Sequence, residues 1–216
     1  MPILANEPMI YPADLLEQPV AAGLPTDGPC GESRWFVAHT KPRQEKALAR
    51  YLFSRQIPYF APQYVRGPVR PRGHAPSYLP LFAGYVFVKS DDAGRVEALQ
   101  SNRIVAPLRV LDQVGLLNDL RRVKRLIDAR LPLYPEERLA PGERVRIVSG
   151  PLAGMEGIVE YRVGRCRFVV SVDFIRQGVA VEVSATALEP AGLATDARRE
   201  QPGGWRRVRN DDRVVV

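Results

Sequence analysis

Between Leu131 and Pro141 the chain changes its pattern, and that change constrains the fold more than any single motif. Upstream of it, strand-like and helix-like segments alternate. Downstream, only short strand-like segments follow one another, separated by glycine-bearing turns. The stretch itself carries Pro132, Pro135 and Pro141 beside the adjacent Glu136 and Glu137, a composition suited to a linker. The expected organisation is a disordered acidic leader over 1–33, a mixed module over 34–130, a linker over 131–141, an all-strand module over 142–190 and a disordered basic tail over 191–216.

The upstream module opens at Arg34-Trp35-Phe36-Val37-Ala38-His39, a β-branched and aromatic run that suits a strand. Pro42 fits the first turn of a following helix, in which Ala47, Leu48, Tyr51 and Leu52 form an apolar stripe while Arg43, Lys46 and Arg50 recur on another face. Pro58 ends that reading. The proline-rich stretch from Pro62 to Pro80 reads as a protruding loop, because proline breaks internal pairing. Residues Leu81 to Lys89 form the most strand-like segment, with Tyr85 and Phe87 on one face and Val86 and Val88 on the other. Asp91 or Asp92 caps a helix through about Gln100, Ile104 to Leu111 is a further strand, and Asn118 caps a last helix. In that helix Leu120, Val123, Ile127 and Leu131 should be buried, with Arg121, Arg122, Lys124 and Arg125 outside. Two helices would then cover one face of a small, mainly antiparallel sheet, leaving its other face free for a partner. The fold class is α+β.

Downstream, strands are expected at 144–148, 157–163, 167–172 and 179–183. Short strands at such regular spacing make a small closed barrel. Gly150, Gly154 and Gly157 supply the tight turns and close backbone approaches it needs.

The net charge of +7 is unevenly spread. Residues 34–130 hold eighteen basic against seven acidic residues, whereas 1–33 hold five acids and no Lys or Arg. Within Lys41 to Arg72, eight basic residues face only Glu45. Such an imbalance points either to a neighbouring polyanion or to charge kept for solubility. The apolar runs are too short to cross a bilayer, and no basic residue before Arg34 marks a signal peptide, so a cytoplasmic protein is expected. Cys30 and Cys166 are too few for a disulfide framework or a four-cysteine metal site. His39 and His74 accompany no nucleophile motif, and there is no phosphate-binding glycine loop, so neither an enzyme nor a cofactor or metal is expected.

Two segments carry a resemblance. Residues 142–160, Gly-Glu-Arg-Val-Arg-Ile-Val-Ser-Gly-Pro-Leu-Ala-Gly-Met-Glu-Gly-Ile-Val-Glu, closely resemble the KOW motif. Residues 80–88, Pro-Leu-Phe-Ala-Gly-Tyr-Val-Phe-Val, are similar to the signature strand of the NusG N-terminal (NGN) domain. Trp35-Phe36-Val37, Glu45 and Pro62 also fall where that family puts them. Over roughly residues 34–190 the chain resembles the NusG family of transcription elongation and antitermination factors, with an RfaH-like, specialised paralogue favoured over the general factor.

The resemblance implies an RNP-like α/β sandwich followed by an SH3-like β-barrel. It implies that Phe82, Tyr85 and Phe87 dock on the clamp of RNA polymerase as an exposed aromatic patch, although an ordinary core role stands beside this for all three, Phe82 above all. It places Lys41, Arg43, Arg50, Tyr51 and Arg55 against the non-template DNA strand, with Arg66, Arg70 and Arg72 following along the loop. Tyr51 has a core role as the competing reading. In the barrel it presents Leu152, Met155 and Ile175 to a second protein, such as the ribosomal protein NusE or the termination factor Rho. The alternative is a KOW-containing ribosome-associated or RNA-binding protein.

Overall fold

The computed structural model describes residues 8–18, 33–65, 77–136, 142–162 and 165–191. Order begins inside the leader. Strand β1 (Ile10–Tyr11) precedes a turn through Gln18, and the first long strand is β2 (Arg34–Thr40). Helix α1 (Glu45–Ser54), β3 (Tyr59–Phe60), β4 (Gln63–Val65), β5 (Tyr78–Pro80) and β6 (Tyr85–Ser90) follow. Next come α2 (Asp92–Gln100), β7 (Ile104–Arg109) and α3 (Gln113–Asp128).

The first sheet runs β1-β3-β6-β2-β7, and every pairing in it is antiparallel. Beside it β4 and β5 form a separate two-stranded ribbon at the root of the proline-rich loop. The loop's Arg66, Arg70 and Arg72 lie outside the described residues.

Strand alternation divides the sheet's apolar residues between two faces. Phe36, Ala38, Tyr59, Val86 and Val88 point one way and pack with Leu48, Ala49 and Leu52 of α1 and Ala98 of α2. Trp35, Val37, Phe60 and Phe87 point the other way and pack with Leu15 and Leu16 of the leader and with α3. Both faces are therefore covered, which corrects the expectation of a free one. The expectation of a disordered leader fails at residues 8–18, because Leu15 and Leu16 retain only 0% and 5% of their exposure.

Helix α3 begins earlier than its sequence indicates. Asp112, not Asn118, is its cap: the Asp112 carboxylate accepts the Gly115 N–H at 2.7 Å, while Asn118 faces solvent within the helix. The buried set is wider than the four residues expected and comprises Leu116, Leu117, Asp119, Leu120, Val123 and Leu126, with Ile127 partly buried. A helix lying on one sheet buries a stripe of roughly 100°; this arc is broader because a second sheet packs against α3 from another side.

That second sheet contains β8 (Leu133–Glu136), β9 (Glu143–Ile147), β10 (Glu156–Arg162), β11 (Arg165–Val172), β12 (Gln177–Glu182) and β13 (Leu188–Pro190), in the order β13-β9-β10-β11-β12-β8. All of its pairings are antiparallel. Four residues of the expected linker are thus a strand: β8 pairs with β12 from Gly178↔Glu136 to Val181↔Leu133. Pro135 is tolerated because β8 lies at the sheet's edge, where a missing N–H breaks no second ladder. Gly150 and Gly154, at φ of +83° and +80°, make the β9–β10 turn that side chains would strain. Gly157 lets the Val169 carbonyl and the Phe168 ring approach within 2.6–2.8 Å of where a Cβ would stand.

Candidate functional site

The aromatic residues singled out in the sequence do converge. The Phe82 ring meets Phe87 edge-on at 5.8 Å between centroids, and Phe60 lies 6.4 Å from Phe87. Tyr85, half-buried at the next same-face position of β6, stacks on His39 of β2 at 5.3 Å. Phe82 sits in the turn before β6, held by backbone contacts: Leu81 N–H donates to the Pro62 carbonyl at 2.8 Å and Tyr85 N–H to the Phe82 carbonyl at 3.2 Å. Glu45, buried at the start of α1, accepts the Gly84 N–H at 2.7 Å and fixes the same turn from the other side of the sheet.

Phe82 and Phe87 are 1% and 0% exposed, so the expected open patch is not open in this arrangement. The residues that close it are Leu15, Leu16, the apolar side of α3 and, through α3, the second sheet, all in one continuous core with Trp35 and Phe60. Gln113 locks α3 to the sheet. Its Oε1 accepts the Trp35 N–H at 2.7 Å, and its Nε2 donates to the Trp35 and Val110 carbonyls at 2.9 and 2.8 Å.

The basic residues gather at the opposite end of β2. Lys41 and Arg43 are exposed in the β2–α1 turn, where Arg43 holds a left-handed φ of +60°. Lys41 donates to the Asn102 side chain at 3.0 Å, and Arg103 bonds the Gln44 side chain, so the α2–β7 turn joins this surface. Arg103 was not singled out from the sequence, since it comes close only when β7 pairs with β2.

Arg50 is exposed on α1 and Arg55 at its C-terminal cap. Tyr51, between them, is engaged: its hydroxyl donates to Glu97 of α2 at 2.8 Å, Arg55 lies over its ring at 5.5 Å, and Arg55 bridges Glu97 at 3.2 Å. The hydrogen bond to the Glu97 carboxylate holds the Tyr51 phenol above its ordinary pKa. Tyr51 is half-buried, and a base stacking on the face that Arg55 covers has to displace it.

In the second sheet, Leu152 and Met155 are each 2% exposed and belong to the core that includes α3, while Ile175 is half-buried against it. Phe174, its neighbour, points outward at 37% exposure. Polar contacts tie this side of α3 down. Asp119 accepts the Asp173 N–H at 3.1 Å and pairs with Arg122, and Arg125 donates to the Ala153 carbonyl at 3.2 Å. Arg121, two residues beyond Asp119 and so nearly opposite that carboxylate on the helix, donates instead to the Leu16 carbonyl at 2.6 Å. Among the described residues no helix is long and apolar enough to cross a membrane, and no three His, Cys, Asp or Glu side chains gather as a metal site.

Comparison with known proteins adds a family. Residues 33–138 match the family described as "Transcription termination factor nusG". Among solved structures, the chain is similar to one described as "Domain interaction in Thermotoga maritima NusG", at 18% identity and a TM-score of 0.42, over 74% of this chain and 98% of that one. No curated protein sequence matches it.

Proposed function

The chain belongs to the NusG family of transcription elongation and antitermination factors, and from that premise we propose that its first sheet binds the clamp of RNA polymerase. The observation that carries this reading is the aromatic cluster of Phe60, Phe82, Tyr85 and Phe87 on one face of β3 and β6, inside the matched stretch. A few clustered aromatics supply most of the energy of a protein interface. The second sheet, read as an SH3-like KOW barrel, recruits a second protein such as NusE or Rho through Leu152, Met155 and Ile175. The protein then acts by binding alone, holding partners together on the elongating enzyme.

Burial sharpens the reading. Phe82 and Phe87 on one side of α3, and Leu152 and Met155 on another, are all inside the same core. The arrangement described is therefore a closed one, and both docking events require α3 to part from something it now touches. A partner can bias conversion between closed and open forms only by binding the open form more tightly.

The test is retention on RNA polymerase after nuclease treatment. Phe82→Ala is a poor probe, since emptying so buried a site costs about 3–5 kcal/mol of stability. Half-buried Tyr85 is a better one: Tyr85→Ala should fold and lose most of the retention. Loss of all retention on nuclease treatment would favour an RNA-binding protein, and unchanged retention by Tyr85→Ala would remove this face from the interface.

A further inference from the structure

Residues 8–18 precede the stretch that defines the family, which begins at residue 33, yet they complete its first sheet. β1 extends the β3 edge through Ile10↔Phe60 and Tyr11↔Tyr59. Ala61 N–H donates to the Met9 carbonyl at 2.7 Å, and the Tyr59 hydroxyl donates to the Pro8 carbonyl at 2.6 Å. The turn that follows lays Leu15 and Leu16 into the core with Phe60, Phe82 and Phe87.

Two cations flank the pair of leucines. From α3, Arg121 donates to the Leu16 carbonyl. From β6, Lys89 donates to the Gln18 side chain at 3.1 Å. Lys89 stands on the face of Phe87, two residues away on the same strand. Asp14 and Glu17 bracket the leucines, and Asp14 favours the charge on Lys89 that partial burial opposes. Adjacent leucines with acidic margins, set on an aromatic floor between two cations, have the complementarity of a docked ligand.

We propose that residues 8–18 are an intramolecular competitor for the aromatic face, displaced when a polymerase segment of the same leucine-bearing, acid-flanked chemistry docks there. This rests on the reading of that face as the polymerase site. Fifteen residues, 19–33, separate the competitor from β2. Extended, they reach about 50 Å, so the segment can leave without being lost and return at an effective concentration in the millimolar range.

The experiment compares the full chain with its Leu15→Asp/Leu16→Asp variant for binding to core RNA polymerase, read by fluorescence anisotropy. The variant should bind about tenfold more tightly, because the competing segment is gone and polymerase has only the packing of α3 left to displace. A synthetic peptide of residues 8–18, at low-millimolar concentration, should reverse the gain, and the same peptide with both leucines changed to aspartate should not. A folded variant that binds equally or more weakly overturns the proposal. Should the variant fail to fold, Arg121→Ala removes only the tether to the Leu16 carbonyl. It should then gain about two- to tenfold, the range of one hydrogen bond, and no gain overturns the proposal. If neither the parent nor a variant binds polymerase, the polymerase reading itself fails and the competitor falls with it, whereas equal binding sinks the competitor alone.

Discussion

Two buried carboxylates, Glu45 and Asp119, illustrate how single residues hold elements of this fold together. Glu45 spans from the first turn of α1 to the Gly84 N–H, so a helix on one face of the sheet fixes the turn that carries Phe82 on the other. Glu45→Ala leaves that donor without its partner and should lower stability by about 1–3 kcal/mol, seen as a lower denaturation midpoint at unchanged m-value. Glu45→Gln, which still offers an oxygen, should recover part of the loss. Asp119 behaves differently. Burial pushes its carboxyl above the ordinary value, against the pull of Arg122 and the Asp173 N–H. A carboxyl with a raised folded pKa binds its proton more tightly when folded. Its ionisation therefore costs stability as pH rises through that pKa, and acidification from there towards the ordinary 3.8 restores it. Asp119→Asn should remove this dependence: thermal unfolding at neutral pH and near pH 4 should show the variant gaining on the parent at the higher pH. Asp119→Ala should instead be destabilised at both, since it strands the Asp173 N–H and Arg122.

At the scale of elements, the chain's alternation placed β2, β6, α1 and α2 well, because each depends on local spacing. Tyr85 and Phe87 do share one face of β6, and Asp91 does cap α2. Local pattern is overridden where tertiary context decides. Asp112 and Asn118 are equally good caps by composition; Asp112 prevails because Gln113, next to it, can then clamp the backbone of Trp35 seventy-eight positions earlier. β8 looked like a linker because its prolines fit one, and only pairing with β12 makes it a strand. Residues 8–18 lacked periodicity, and two leucines suffice to anchor them once an aromatic floor exists. The candidate aromatics were legible as types, with a core role standing beside a docking one, whereas the elements that bury them were not, since those lie far away in sequence. The α1 surface can be tested at this scale. If Lys41, Arg43, Arg50 and Arg55 hold a single DNA strand, affinity should fall with salt, and each contact removed by substitution to alanine should reduce the log–log slope by about 0.7. An affinity that ignores salt would assign these residues to solubility.

For the whole molecule, the decisive feature is that α3 is shared. One side carries Arg121 and meets the leader and first sheet; another carries Asp119 and meets β11 and the turn at Asp173. The core is continuous through it, from Leu15 to Val181. Uncovering either side of α3 therefore bears on the other, and on the proposed reading a partner for the second sheet should favour exposure of the first. That coupling predicts a reciprocal effect: a ligand of the second sheet should strengthen polymerase binding by the same factor by which polymerase strengthens its own. Parallel titrations with and without each partner would measure both factors, and two factors that both equal one would show the faces to be independent.

The shared helix has a further consequence in the order of synthesis. All of the first sheet and α3 leave the ribosome before the strands that cover the far side of α3. The second sheet is not complete until β13 has been made, about sixty residues later, or ~3–12 s at common elongation rates. During that interval the nascent chain presents Val123 and Leu126 uncovered beside a finished sheet. The side of α3 that the second sheet covers is thus exposed first in every copy and buried only later.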